Sequence, residues 1–416
     1  MAVNATSPAP SWLRRNRSTR MPREVIVLGL IAFCVAVGFG VLIPVLPVFA
    51  RSFGVDNFAV GAVVSVFALM RLVTAPFCGR MINRAGERVI LALGIFIVAV
   101  SSGLAGISQS YPQLLLLRGV GGFGSAMFTV AATTLLLTSV EAGLRGRASG
   151  VFQAGFLIGG MTGPAIGGLL SAISLTAPFF FYAATLVVAG TVGLLMLGRS
   201  GASPSARAAG EVVPLRLVVR DRSYQAACMA NLAQGWTSFG VRMSFVPVLV
   251  VEVLDRPTSW TGVAFACASV VQTLAVVPAG KFVDTVGRRP AMIIGGTLGG
   301  VSILAVPFAP NVWLLILALC VYGVASAFLG TAPAAAVGDA AGAHGGSAVA
   351  IFSMCSDVGA IIGPLAAGLL ADKVSYGVAF GVGAGLLLAG AGAALRMPRK
   401  QGYRRTEELD GSTTAR

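Results

Sequence analysis

Four charged residues stand inside long apolar runs of this chain: Arg71, Arg118, Arg242 and Asp357. A guanidinium keeps its charge under all ordinary conditions, whereas a carboxyl group takes up and releases a proton. Asp357 is the only carboxylate well inside such a run, which makes it the first candidate for a proton-carrying group. A charge at the centre of a bilayer costs roughly 2.5–3.5 kcal/mol on insertion scales, so residues of this kind are functional candidates by default. Three arginines against one acid give a cavity that is electropositive once Asp357 is protonated. That balance favours a neutral or anionic ligand over a cationic one.

The runs that hold these charges have the length of membrane spans. Of 416 residues, 56% are hydrophobic and 11% charged, against about 25% charged in a soluble domain. Stretches near the roughly 20 residues that cross a hydrocarbon core fall at 25–49, 58–78, 89–108, 113–138, 148–172, 178–198, 224–251, 260–280, 291–309, 312–337, 348–372 and 376–396. We number them spans 1 to 12. The expected fold is an all-α polytopic membrane protein of twelve transmembrane helices in two pseudo-symmetric six-helix bundles. The bundles are expected at 25–198 and 224–396, with a tail at 1–24, a linker at 199–223 and a tail at 397–416.

Basic residues set the expected orientation, because Lys and Arg concentrate in cytoplasmic segments. With the N-terminus inside, the external loops hold only Arg51, Arg256 and Lys373, and spans hold Arg71, Arg118 and Arg242. All other Lys and Arg fall on the cytoplasmic side, with both termini there. The net charge of +15 then follows from topology and calls for no nucleic-acid partner. The basic stretch before span 1 is read as part of a retained helix entry, since the run behind it is too long for a signal peptide. The six cysteines show no metal spacing and read as small apolar packers. His344, in the loop between spans 10 and 11, reads as solvated.

The chain also repeats itself at an offset of about 200 residues. "GRMINRAGERVIL" (79–91) between spans 2 and 3 corresponds to "GKFVDTVGRRPAM" (280–292) between spans 8 and 9. "GGMTGPAIGGLL" (159–170) in span 5 corresponds to "GAIIGPLAAGLL" (359–370) in span 11. Repeated bundles that rock about a midplane site are a recurring transporter design. Gly159, Gly163 and Gly167 fall on one helix face that another helix can approach closely, and Pro164 removes one backbone bond and adds a kink.

These motifs resemble the major facilitator superfamily, and within it the twelve-helix drug:proton antiporters, over residues 25 to 396. The 2–3 loop signature is matched by Gly280, Asp284, Gly287, Arg288 and Arg289. Its first-half copy keeps Gly79, Arg84, Gly86 and Arg88 but has Asn83 for the acid and Glu87 for a basic residue. The span-4 signature is matched by Arg118, Gly122, Gly124, Ser125 and Ala126. The span-5 antiporter signature is matched by Gly159, Gly163, Pro164, Gly167 and Gly168, and "GFGVLIPVLP" (Gly38, Pro44, Pro47) is similar to the first-helix signature of drug exporters.

The resemblance implies that spans 2 and 11 meet across the halves. Arg71 and Asp357 lie at similar depths, roughly 12 and 13 Å from the inner ends of their helices. An Arg71–Asp357 pair is therefore expected to close the cytoplasmic side and to open when Asp357 is protonated. Arg118 is implied in proton transfer or cavity electrostatics. Arg242, with Trp236, Phe239 and Gln234, is expected to line the substrate cavity. The span-5 motif is implied as a hinge and sliding surface between the halves. Asp284, Arg288 and Arg289 are implied as a latch to neighbouring helix ends, rewired in the first half through Glu87 and a basic residue such as Arg147.

The expected function is proton-coupled export of a lipophilic small molecule by a monomer in the plasma membrane. Protons are the coupling ion, with no other cofactor, no metal and no enzymatic reaction. ATP is excluded as the energy source, because no phosphate-binding glycine loop with Lys-Ser/Thr occurs. Metabolite uptake by a facilitator or symporter is the alternative within the fold. A transport-inactive membrane sensor is the alternative of another class.

Overall fold

The computed structural model describes residues 22–140, 145–197, 215–341 and 346–398. His344, nearly all of both expected tails and most of the expected linker lie outside the described residues. Hydrocarbon offers a backbone no partners, so a chain this apolar satisfies its own amides by helix formation. Among the described residues, eleven helices are each long and apolar enough to cross a membrane. They are Arg23–Leu42, Asn57–Ala85, Glu87–Ala105, Tyr111–Thr138, Arg145–Ser171 and Ala177–Met196 in spans 1 to 6. Spans 8 to 12 are Thr258–Thr285, Arg288–Ala305, Val312–Ala341, Gly346–Lys373 and Tyr376–Leu395.

Span 7 is the twelfth crossing and is built differently. It runs as an α-helix Arg222–Gly235, a π-helix Trp236–Met243 and an α-helix Ser244–Glu252 without a gap. It begins two residues before its expected start, because Asp221 caps its N-terminus by accepting from Ser223 and Tyr224. The expected linker also contains a short helix, Leu215–Arg220. Span 1 is interrupted too. Residues 43–45, with Pro44 at their centre, form a turn, and Pro47 sits in the first turn of a short helix, Leu46–Arg51. A proline at that position forfeits no helix bond.

Two apolar cores result. One gathers residues of spans 1 to 6, with Tyr182, Phe179 and Leu28 fully enclosed. The other gathers residues of spans 7 to 12, with Tyr224, Phe245 and Tyr322 enclosed. Their helices approach at glycines. A Cβ on Gly163 would lie 2.6 Å from the Val37 carbonyl oxygen and 2.7 Å from the Cα of Gly40, and one on Gly159 would lie 2.5 Å from the Phe33 carbonyl oxygen. Gly167 faces the backbone of Val41 in the same way. The three-glycine face of span 5 thus seats span 1, inside the first bundle. The second bundle repeats the contact, with Gly359 and Gly363 of span 11 against Trp236 and Gly240 of span 7.

Contact between the bundles uses other residues. Gly262 of span 8 lies on Gly168 and on the Pro164 carbonyl of span 5, and Gly61 of span 2 lies on the Pro364 carbonyl of span 11. Within the span-5 motif, contact with the other bundle therefore rests on Pro164 and Gly168. The i, i+4, i+8 face that the sequence made conspicuous is occupied by span 1.

Replacing Gly163 by Val should overpack the span 1–span 5 contact and remove about 1–3 kcal/mol of stability. The checking measurement is thermal melting of the detergent-purified protein. Gly160→Val serves as control, since a Cβ there meets nothing within 4 Å. Equal melting of the two variants would refute the packing assigned to Gly163.

Candidate functional site

Twelve alternating crossings bring residues 23 and 395 to one end of the molecule, here termed the basic end. At the opposite end the two bundles are tied together. Arg51 donates from Nε to Glu252 at 2.7 Å. That hydrogen bond, more than the simple attraction of charges, raises the Arg51 pKa above its ordinary value. Asp372 at the end of span 11 accepts from the Asn57 amide at 3.0 Å, the Asn57 side chain at 2.8 Å and the Phe58 amide at 2.9 Å. Asp56 caps the same helix from its own chain by accepting from Ala59. The open N-H groups at the start of span 2 are thus shared between a local aspartate and one from the other bundle. Tyr376 adds a bond to Asn57 at 3.1 Å. This seal was not read from the sequence.

The seal has a definite depth. Its innermost side-chain hydrogen bond runs from Ser65 to the Ile361 carbonyl at 2.7 Å. Six residues further along span 2 stands Arg71, and four residues back along span 11 stands Asp357, roughly 9 and 6 Å nearer the basic end. Arg71 and Asp357 act on one another electrostatically but form no ion pair within 4.0 Å, where Arg51–Glu252 and Arg288–Asp339 do. They stand just past the innermost side-chain bond of the seal, at a level here termed the throat. Towards the basic end, Gly79, Gly86 and Gly280 have no atom within 4 Å of a Cβ position.

Beside the throat lies Arg118, 5% exposed, with its guanidinium 4.4 Å from the Phe67 ring centroid and its Nε without a hydrogen-bond partner. Small residues allow this. Gly122 meets the backbone of Phe67, and a Cβ on Gly124 would lie 2.6 Å from the Gly94 carbonyl oxygen, so span 4 sinks between spans 2 and 3. The buried Tyr182 of span 6 stands in the field of both Arg118 and Arg71. Gly38 of the first-helix motif leaves room for the Tyr182 ring. Phe67 and Tyr182 were not singled out in the sequence. A tyrosine in an apolar span is a weak signal.

The second bundle places Arg242 on the π-helix of span 7. Its guanidinium carbon lies 5.3 Å from the Phe265 ring and 5.5 Å from the Tyr322 ring, and its Nε is buried without a partner. It lines a cleft of about 200 Å³ between spans 5 and 8, with Phe156, Pro164, Phe265, Gln272 and Thr273 among the walls. Gln234 belongs to a polar network next to it, donating to Ser326 at 3.1 Å and accepting from Tyr322 at 3.4 Å, with Ser238 3.2 Å from the Tyr322 hydroxyl. Trp236 does not line this cleft. Its backbone lies against Gly359 and Gly363 of span 11, and its ring stands beside Gly383 of span 12. Phe239 is half-buried, and its carbonyl accepts from Ser244 across the π-helix. The wider π turn offsets side chains that α spacing would put on one face.

At the basic end, Arg288 pairs with Asp339 of span 10 at 2.8 Å. Gly287 carries the positive φ of 122° at the turn before it, and Gly86 the φ of 82° at the matching turn. The contact expected between Glu87 and Arg147 is not formed. Arg147 is exposed on the first turns of span 5, and the Nε of Arg88 is buried without a partner. With Asn83 and Glu87 the first half lacks the charge order that pairs Arg288 in the second.

Known proteins share this architecture. The model of the Major Facilitator Superfamily matches residues 28–269 and 236–414. The synaptic vesicular amine transporter of Homo sapiens is 28% identical over 333 residues, which are 77% of this chain and 63% of that protein. Quinolone resistance protein NorA of Staphylococcus aureus is 28% identical over 181 residues, 42% of this chain and 46% of that protein. The chain thus matches less than two thirds of the length of either relative. Among solved structures, a bacterial homolog of the human lysosomal transporter Spinster, inward-facing and unoccupied, superposes with a TM-score of 0.71 at 15% identity, over 90% of this chain and 95% of that one.

Replacing Asp372 by Ala should loosen the seal. A hydrogen bond to a charged group contributes roughly 1.5–3 kcal/mol, and the partly exposed setting argues for the low end. Losing three should move the open–sealed equilibrium by about three orders of magnitude. Spin labels at positions 52 and 253 report it by double electron–electron resonance. A longer-distance population is expected in Asp372→Ala, and an unchanged distance distribution would show that the seal is held elsewhere.

Proposed function

The chain belongs to the Major Facilitator Superfamily, and we propose that within it the protein is a proton-coupled secondary transporter that exports lipophilic small molecules by alternating access. The observation that carries this reading is Asp357. It is a lone carboxylate at the throat between the bundles, opposite Arg71 and one turn past the innermost bond of the seal. A group there changes surroundings when the bundles rock. Facing Arg71 closely it is held as a carboxylate, and away from it, in apolar surroundings, it favours the protonated form. Protonation and bundle motion are coupled by that difference.

The state described is sealed at the end bearing Arg51 and Asp372. In the opposite state Arg71 and Asp357 would come together as the basic end closes. Arg118, Tyr182 and Phe67 would then shape the cavity of the first bundle, and Arg242 that of the second. The excess of basic residues at the end bearing residues 23 and 395 supports a cytoplasmic location for both termini in a plasma membrane. The Arg288–Asp339 pair would latch spans 9 and 10 as a unit. Similarity to NorA, a quinolone resistance protein, supports export. Three intramembrane arginines and a single acid support a neutral or anionic lipophile over a cation, handled by a monomer.

Inside-out vesicles energised to an acidic lumen test this reading. Neutral, anionic and cationic amphiphiles added in turn should discharge the gradient with the wild-type protein for at least one compound. With Asp357→Asn the discharge should fall at least tenfold. Equal proton leakage from the two proteins would exclude Asp357 as the coupling group.

A further inference from the structure

Arg242 is a permanent cation in apolar surroundings, and it forms no ion pair within 4.0 Å. Both neighbours that stabilise it are rings, Phe265 on span 8 and Tyr322 on span 10. Such contacts engage a guanidinium through its flat faces. Its hydrogens lie in the plane, at the edge, where a carboxylate binds with two parallel hydrogen bonds. The Nε is buried and donates to nothing, and a buried charge without a partner is strongly unfavourable unless one arrives. The side chain borders the cleft between spans 5 and 8, where Phe156 and Pro164 supply apolar wall and Gln272 and Thr273 polar wall. At about 200 Å³ this cleft is smaller than the roughly 300–1,000 Å³ of drug-sized sites.

We propose that this cleft is a binding site for small aromatic carboxylates, with Arg242 as the residue that recognises the carboxylate and the span-5 wall as the surface against which the ring packs. The inference rests on the transport reading above and narrows its substrate class. The Phe265 and Tyr322 rings attract the guanidinium without occupying its N–H groups, which leaves these to meet a planar anion. A neutral molecule of the same shape would fill the apolar part and leave the arginine unpaired. Because spans 5 and 8 belong to different bundles, the ligand would touch both moving parts.

Binding is measured by titration calorimetry on the purified full-length protein in nanodiscs, with no proton gradient. The probes are 2-naphthoate, its uncharged amide 2-naphthamide, and a biphenyl carboxylate for size. Wild type should bind 2-naphthoate roughly 10–100-fold more tightly than the amide, the range for a hydrogen-bonded charge. Arg242→Gln should bring the two within about threefold, chiefly by weakening 2-naphthoate, and Arg242→Lys should keep part of the preference. Equal affinities in wild type, binding by neither carboxylate, or a preference that survives Arg242→Gln would each overturn the inference. Should Arg242→Gln fail to fold, the wild-type ratio and Arg242→Lys still decide it. Carboxylate preference without proton-coupled flux would remove the exporter reading alone. Proton-coupled flux of neutral or cationic compounds without that preference would remove this inference alone.

Discussion

Hydrocarbon has no hydrogen bond to offer a charge or a freed backbone group, and the placement of every polar residue in the spans of this chain answers to that constraint. Arg118 and Arg242 lie in separate bundles, yet each meets it in the same way, by bringing the guanidinium against aromatic rings. Neither has an acid within 4.0 Å among the described residues. Asp357 and Arg71 meet it differently, by standing on facing spans at the inner edge of the seal. The seal at the opposite end can use full ion pairs and charged caps, because its residues reach the aqueous edge.

The same constraint explains the glycines. Lipid tails are as apolar as leucine, so helices gain little by burying side chains from lipid and gain instead by close backbone approach. Span 5 spends two faces this way. Gly159, Gly163 and Gly167 hold span 1 within the bundle, and Gly168 with the Pro164 carbonyl meets Gly262 in the other bundle. The duplicate arrangement at Gly359, Gly363 and Pro364 gives the pair of bundles a twofold resemblance. At the sealed end that resemblance breaks. Asp372 caps span 2, whereas the matching stretch at the end of span 5 holds Ser171, whose hydroxyl bonds back to Gly168. One side of the interface is thus tied by a charged cap, and the other brings glycine backbone onto backbone.

The loops at the basic end are asymmetric too. Arg288 has Asp339, while the first-half copy holds Glu87 at the matching position and Asn83 in place of the motif acid. Span 7 adds a further difference, since its π-helix Trp236–Met243 has no equivalent in span 1, which breaks at Pro44 instead. Both devices interrupt the regular side-chain rotation of an α-helix near the level of the cleft. The π turn turns Arg242 towards span 8 and leaves Trp236 on spans 11 and 12.

The amino-acid sequence alone determined the all-helical class, the twelve crossings, the repeat and the family. Each is written in local composition, in run lengths set by bilayer thickness and in motifs of fixed spacing. It also singled out Asp357, Arg71, Arg118 and Arg242, because a charge in an apolar run is conspicuous wherever it points. It could not tell which glycine face meets which helix, since Gly163 and Gly168 look alike in one dimension and differ only in the neighbour each touches. Nor could it separate Asp372 from other charges at span ends, because its role depends on the start of span 2 lying beside it, some 315 residues away in the chain. The rings that hold Arg242 and the turn that moves Trp236 aside were likewise decided by tertiary structure. Contact partners across a bundle are fixed by how helices rotate and cross, and residue order leaves those angles open.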